Sequence, residues 1–141
     1  MKKQFSTAWK VSRQPRKQRK YLANAPLHLR RKLLSVNLSK ELRKKYGKRN
    51  ILLKKGDTVK VMKGKFKKKQ GKVTEIKTKT IKVFVEGIQI KKQDGSKANV
   101  PLKPSNLRII ELNLEKKRGK LLEKTRKEKT ENTGKGKEEK K

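Results

Sequence analysis

The chain has 141 residues, enough for one domain with extensions, but with 41% charged and 30% hydrophobic residues it is too polar to pack throughout. Its 46 Lys and Arg against 12 Asp and Glu give a net charge of +34, which predicts a polyanionic partner, with nucleic acid the first candidate. The lack of cysteine excludes disulfides, cysteine-ligated metal and thiol catalysis. No apolar run reaches the length of a membrane span and no signal-peptide core follows the first residues, so we expect a soluble intracellular protein without a cofactor.

Residues 1–23 form a basic N-terminal arm that we expect to be extended. Phe5, Trp9 and Tyr21 alternate with basic residues, and Pro15 argues against a continuous helix. Two interpretations stay open: a disordered arm in the isolated chain, or an arm that becomes ordered on RNA. We favour the second because the first 50 residues contain 17 basic residues and 1 acidic residue. The candidate RNA-binding residues of the arm are Arg13, Arg16, Lys17, Arg19 and Lys20.

Residues 24–50 are predicted to form short basic helices. Asn24 is a good N-cap, with Pro26 in the first helical turn. Ser39 is a second candidate N-cap, and Gly47 stands where a helix would end. Almost no acidic residue balances these helices, so we expect phosphate contacts rather than a merely solvated face. The candidate RNA-binding residues here are Arg30, Arg31, Lys32, Arg43 and Lys44.

Residues 51–112 are predicted to fold as a small β-barrel. Apolar and polar side chains alternate in several short segments, and an Asp-Gly pair at residues 94–95 indicates a hairpin turn. The predicted strands are residues 57–63, 72–76, 81–85, 88–91, 98–102 and 107–112. The predicted core contains Val59, Val61, Val73, Ile76, Ile81, Val83, Val85, Ile90, Val100, Leu107 and Ile109. Phe84 has the opposite parity to its neighbours, and either burial or an RNA-facing position would suit it.

The basic loop, residues 63–72, joins the first two of these strands. Gly64 and Gly71 mark the places where the backbone must turn or approach another segment closely. Phe66 either packs back onto the barrel or reaches a base. The candidate RNA-binding residues of the loop are Lys63, Lys65, Phe66, Lys67, Lys68, Lys69 and Lys72.

This part of the chain resembles the KOW motif of ribosomal proteins and transcription factors. The matching residues are Gly56, Asp57, Val59, Val61, Gly64, Phe66, Lys67, Gly71, Val73 and Ile76. The resemblance implies an SH3-like barrel and RNA contact. The family usually has glycine near Lys68, so a positive φ at that position would be strained here.

Residues 113–141 form a lysine- and glutamate-rich tail without sheet patterning. A short amphipathic helix through Leu114, Leu121 and Leu122 is predicted, weakened by Gly119. From Thr130 onward the composition is typical of a disordered segment.

Carboxylates are too scattered in the predicted barrel to suggest an enzyme. Asp57, Glu75, Glu86, Asp94 and Glu111 show no paired general acid and base, and no cluster with the spacing of metal ligands. We therefore expect no catalytic activity, no metal and no small-molecule substrate.

Four flanking motifs extend the resemblance over roughly residues 5–128. They are RKQRK at 16–20, NAPLHLRRKLLS at 24–35, LSKELRKKYG at 38–47 and PSNLRI at 104–109. Together they resemble the universal large-subunit ribosomal protein twenty-four family, in its archaeal and eukaryotic branch, called twenty-six in eukaryotic naming; the short basic loop favours the archaeal form. The resemblance implies binding to large-subunit rRNA near its 5′ end, contact with neighbouring ribosomal proteins, a role in early subunit assembly, a place near the peptide tunnel exit and a cytoplasmic location.

Three other function classes compete with this one. A KOW-containing elongation factor would need a separate polymerase-binding domain, for which the chain has no room. A DNA compactor leaves the barrel unexplained, and membrane-surface binding lacks a strongly apolar helical face. Co-sedimentation with large ribosomal subunits, compared with nucleoid and polymerase fractions, would separate these classes.

Overall fold

A computed structural model describes residues 5–114, 118–119 and 122. From residue 5 onward the N-terminal region is mainly helical, whereas the sequence predicted an extended arm. A 3₁₀ helix spans Thr7–Val11, α1 spans Pro15–Asn24, α2 spans Leu27–Leu33 and α3 spans Lys40–Tyr46.

Pro15 begins α1 instead of preventing it, which is why the prediction of an extended arm was wrong. At the first helical position proline lacks only an N–H that would have no helical partner, and its fixed φ suits the helix. Asn24 is also not an N-cap, because it is the last residue of α1 and Pro26 precedes α2. The end signals of α3 are confirmed: the Ser39 hydroxyl accepts from the Leu42 N–H, and Gly47 has φ 61°.

The described part of the chain also contains eight short strands. They are β1 Ser35–Leu38, β2 Asn50–Leu52, β3 Thr58–Val61, β4 Gln70–Lys77, β5 Lys82–Val85, β6 Gln89–Lys91, β7 Lys97–Asn99 and β8 Leu107–Glu111. A second 3₁₀ helix, Pro104–Asn106, leads into β8. The Asp-Gly hairpin between β6 and β7 is confirmed.

Six strands form one sheet in the order β2-β1-β8-β3-β4-β5, and β6 and β7 form a separate hairpin. Strands β1 and β8 run parallel, whereas the other neighbours are antiparallel. Val83 and Leu102 exchange two backbone hydrogen bonds of 3.0 and 2.9 Å beyond the β5 edge. The predicted fold class is confirmed: the result is an open, barrel-like mixed sheet consistent with an SH3-like fold.

The core follows the predicted alternation in β3, β5 and β8. Ile90 is an exception, because it lies on the projecting β6–β7 hairpin and is 46% exposed. Phe84 is half-buried, with the Lys77 Nζ 5.0 Å from its ring centroid, so partial burial fits it best. Six buried members of the core were not in the predicted core: Leu34, Val36, Leu38, Leu53, Ile88 and Leu102.

Candidate RNA interface

The basic loop is closed by backbone hydrogen bonds at its base. The Lys68 N–H donates to the Val61 carbonyl oxygen at 2.9 Å, and the Val61 N–H donates to the Lys69 carbonyl oxygen at the same distance. These paired bonds fix the path of the backbone without using any side chain of the loop. The loop therefore presents its charges from a defined frame.

All six lysines of the basic loop are exposed, and no acidic residue lies between Asp57 and Glu75 in the sequence. Phe66 is half-buried against the core, and the Lys69 Nζ lies 5.5 Å from its ring centroid. Of the two interpretations of Phe66, packing onto the barrel is the one that the structure shows. The ring supports the loop from beneath and leaves a cationic outer surface.

Lys68 has φ 75°, so the position does use the left-handed conformation that suits glycine. A side chain there costs about 1–2 kcal/mol, because Cβ approaches the following carbonyl oxygen. A lysine in this strained position adds one more cation to the exposed face of the basic loop.

We predict that Lys68→Gly raises the free energy of unfolding by about 0.5 kcal/mol, since relief of strain slightly exceeds the added entropy of the unfolded chain. Urea unfolding followed by circular dichroism measures the change. Lys67→Gly is the matched control: it removes the same charge at a residue without positive φ and should lose about 0.5–1 kcal/mol. Equal losses in both variants would contradict the strain at Lys68.

The aromatic residues of the N-terminal arm pack within the arm itself. The Phe5 and Tyr21 ring centroids are 5.1 Å apart, and Tyr21 is buried. The Lys20 Nζ lies 5.1 Å from the Trp9 ring, while the Gln18 side-chain amide donates to the Trp9 carbonyl oxygen at 3.3 Å. These contacts hold the 3₁₀ helix on α1. The predicted RNA-binding residues of this unit are all exposed: Arg13, Arg16, Lys17, Arg19 and Lys20.

The predicted cations of α2 and α3 lie in the last turn of each helix. Positive charge is favourable there even without RNA, since it complements the carbonyl end of the helix dipole. Arg31, Lys32 and Lys44 are exposed, whereas Arg30 and Arg43 are half-buried. The Arg30 guanidinium donates to the Ala23 carbonyl oxygen and so ties α2 to α1.

A buried ion pair between Asp57 and Arg118, which the sequence did not predict, holds the residue just before β3 in place. Asp57 is fully buried, and its two oxygens accept from the Arg118 guanidinium at 2.6 and 3.1 Å. They also accept from the backbone N–H groups of Lys54 and Asn113, each at 2.9 Å. Arg118 further donates to the Leu52 carbonyl oxygen at 2.9 Å. The pair therefore joins the barrel to the segment that follows β8.

Four cations from distant parts of the chain meet at one groove. Arg19 comes from α1, Lys79 from the β4–β5 connection, Lys82 from the start of β5, and Lys103 from the segment before β8. Only Arg19 was among the predicted site residues. The three lysines lie outside the N-terminal arm, the short basic helices and the basic loop, which contained all the predicted site residues. No local sequence pattern distinguishes them from other exposed lysines, and only the fold brings them together.

The fold and these surfaces define the class of protein: a small SH3-like β protein with added basic helices, whose outer face is dominated by lysine and arginine. A family model that describes the ribosomal proteins L26 of eukaryotes and their archaeal counterparts, numbered twenty-four, matches residues 12–125, which is most of the chain. The chain belongs to this family and is a structural protein of the large ribosomal subunit. The resemblance found in the sequence is thereby confirmed, and the family is not one of enzymes.

Within the described ranges, no helix is long and apolar enough to cross a membrane. Over the same residues, no group of three or more His, Asp or Glu side chains is placed to hold a metal ion.

Proposed function

We propose that this chain binds large-subunit rRNA in its 5′ region, supports early assembly of the subunit and lies near the exit of the peptide tunnel on cytoplasmic ribosomes, beside other large-subunit proteins. The membership of the family supports the ribosomal setting. The observation that carries RNA binding is the basic loop, whose six exposed lysines are held on a hydrogen-bonded frame with no acidic neighbour in the sequence.

The proposed mechanism is an electrostatic clamp that contacts separate RNA segments. The basic loop leads into β4, whose eight residues span roughly 25 Å. Its lysines therefore lie far from a second group of cations, Lys79 and Lys82, just beyond the other end of that strand. The exposed residues of α1, α2 and α3 add a third contact region. Phosphate contacts of this kind fix position and orientation without reading bases, so recognition would depend on the shape of the folded RNA.

The partly buried arginines have a different part in this proposal. Arg30 donates a hydrogen bond to the Ala23 carbonyl oxygen and so links α2 to α1, which would help to position its exposed neighbours Arg31 and Lys32. Phe66 likewise supports the basic loop through its contact with the core. The direct phosphate ligands are then the exposed cations.

We predict that replacing Lys67, Lys68 and Lys69 together with alanine weakens binding to large-subunit rRNA. The slope of log K against log salt should fall by about one for each lost phosphate contact. Filter binding of the full chain to purified rRNA, repeated over a salt series, measures both quantities.

The matched control replaces Lys91, Lys92 and Lys97, which are equally exposed but lie on the β6–β7 hairpin. It removes the same charge and should change the slope less. An unchanged affinity and slope in the loop variant would rule out the basic loop as a contact region.

A further inference from the structure

The groove between the N-terminal helices and the barrel has a volume of about 480 Å³. Its apolar floor is formed by Leu22 and Ala23 of α1, Leu33 of α2, Ile81 beside β5 and Pro104. Leu22 is 40% exposed, which leaves a large apolar side chain facing solvent. The volume falls in the range of roughly 300–1,000 Å³ that is usual for pockets that enclose a small organic group.

The rim of the groove is cationic. Its cationic lining residues are Arg19, Lys79, Lys82 and Lys103, and none of the described residues that line the groove is acidic. Ser105 and Thr80 add hydroxyl groups that can donate or accept hydrogen bonds. An occupant with a flat apolar surface and negative charge on its flanks fits this arrangement.

One of the two described non-glycine residues with positive φ lines the groove. Ile81 has φ 54°, a conformation that is costly for a β-branched side chain. The strained residue turns the chain into β5 and forms part of the groove floor. Strain of this kind is typical of positions where the surrounding structure holds a side chain for a purpose beyond folding.

We propose that the groove takes one unstacked nucleotide of single-stranded rRNA, with its base on the apolar floor and the flanking phosphates on the cationic rim. This inference rests on the proposed function and adds to it a base-dependent contact. It makes one part of the interface different in kind from the basic loop, where only phosphates are contacted. Splayed-out bases in loops and bulges are the usual targets of such contacts in RNA recognition.

The experiment compares two probes on the full-length chain: a short unstructured oligoribonucleotide and an abasic oligomer of the same length and charge. Loss of a base contact should weaken binding by about fivefold, the low end of what stacking on an aromatic ring contributes, because the apolar residues that line the groove are aliphatic. Methyl NMR of the wild-type chain provides an independent readout, since the Leu33 and Ile81 signals should shift only with the base-containing probe.

Ala23→Leu fills the groove without changing charge, and leucine suits a helix nearly as well as alanine. This variant should bind both probes equally. Ala8→Leu, the same change at an exposed residue that does not line the groove, should keep the preference for bases. Circular dichroism verifies that both variants fold like the wild type.

Equal binding of the two probes by the wild-type chain would overturn the inference while leaving the proposed binding to large-subunit rRNA intact. A base preference that survives in Ala23→Leu would overturn it as well, because the base would then lie elsewhere. If the Ile81 methyl signal responds to an acidic peptide and not to RNA, the groove belongs to a protein partner. If the wild-type chain bound neither of the two probes nor purified rRNA, the proposed function itself would be refuted.

Discussion

Asp57→Ala is expected to lower the free energy of unfolding by about 3–5 kcal/mol, the usual cost of removing one partner from a buried ion pair. The loss has two parts. Arg118, 6% exposed, would keep its charge without the carboxylate that neutralises it. The N–H groups of Lys54 and Asn113 would also lose their acceptor. Since domains are usually stable by only about 5–15 kcal/mol, this is a large share of the total stability.

Urea unfolding in enough salt to screen the lysine repulsion measures this loss. Asp94→Ala is the matched control, because Asp94 is an exposed hairpin residue that accepts hydrogen bonds from Ser96 alone among the contacts described. It should change stability by less than about 0.5 kcal/mol.

A double-mutant cycle with Arg118→Leu separates the ion pair from the backbone contacts. Arg118→Leu should cost less than Asp57→Ala, because Asp57 would retain two N–H donors. The double variant should lose less than the sum of the two single losses, by about 1–3 kcal/mol. Additive losses would show that the carboxylate and the guanidinium do not depend on one another.

Gly71→Ala is the second large effect that we expect, with a loss of about 1–3 kcal/mol in the free energy of unfolding. A Cβ at this position would lie 2.5 Å from the Glu86 carbonyl oxygen and 2.9 Å from the Val85 Cγ1 atom. The nearer contact is with backbone, so a side-chain rotation cannot relieve it. The strand must shift, and with it the hydrogen bond from the Glu86 N–H to the Lys72 carbonyl oxygen.

Thermal unfolding of Gly71→Ala, compared with that of the control variant Gly119→Ala, measures this loss. Gly119 also lacks a positive φ, but an added Cβ would meet no atom of the described residues outside its own helix within 4 Å. Because Gly119 is helical, its alanine variant should be unchanged or more stable by up to about 1 kcal/mol. A Gly71→Ala variant as stable as the wild type would show that β4 and the segment after β5 are not as close as described.

The two sites have a functional consequence as well as a structural one. Asp57 fixes the start of β3, and Gly71 lets the start of β4 pack closely against the end of β5, so both determine the position of the basic loop between β3 and β4. A clamp that recognises RNA shape depends on such positions, because phosphate contacts act only at a defined spacing. We therefore expect variants at either residue to weaken rRNA binding, even though Asp57 is buried and Gly71 has no side chain that could contact RNA.

The N-terminal region shows where sequence reasoning failed and why. A proline such as Pro15 breaks a helix when it lies in the interior but favours a helix when it is the first residue. Its effect therefore depends on where the helix begins. The contacts of Gln18 and of the Phe5–Tyr21 pair settle that point, since they fold the 3₁₀ helix back onto α1. Strand β1 was missed for a related reason: its four residues form a strand through pairing with β2 and with the distant β8.

The sequence by itself determined the excess of positive charge, the alternation of β3, β5 and β8, the ends of α3 and the lysines of the basic loop. Each of these is a property of residues within a few positions of one another, where periodicity and capping act. Only the tertiary structure decided that Asp57 pairs with Arg118, 61 residues away, and that Arg19 shares a groove with Lys79, Lys82 and Lys103. Such contacts between residues distant in the sequence depend on how the whole chain buries its apolar surface, and no short segment contains that information.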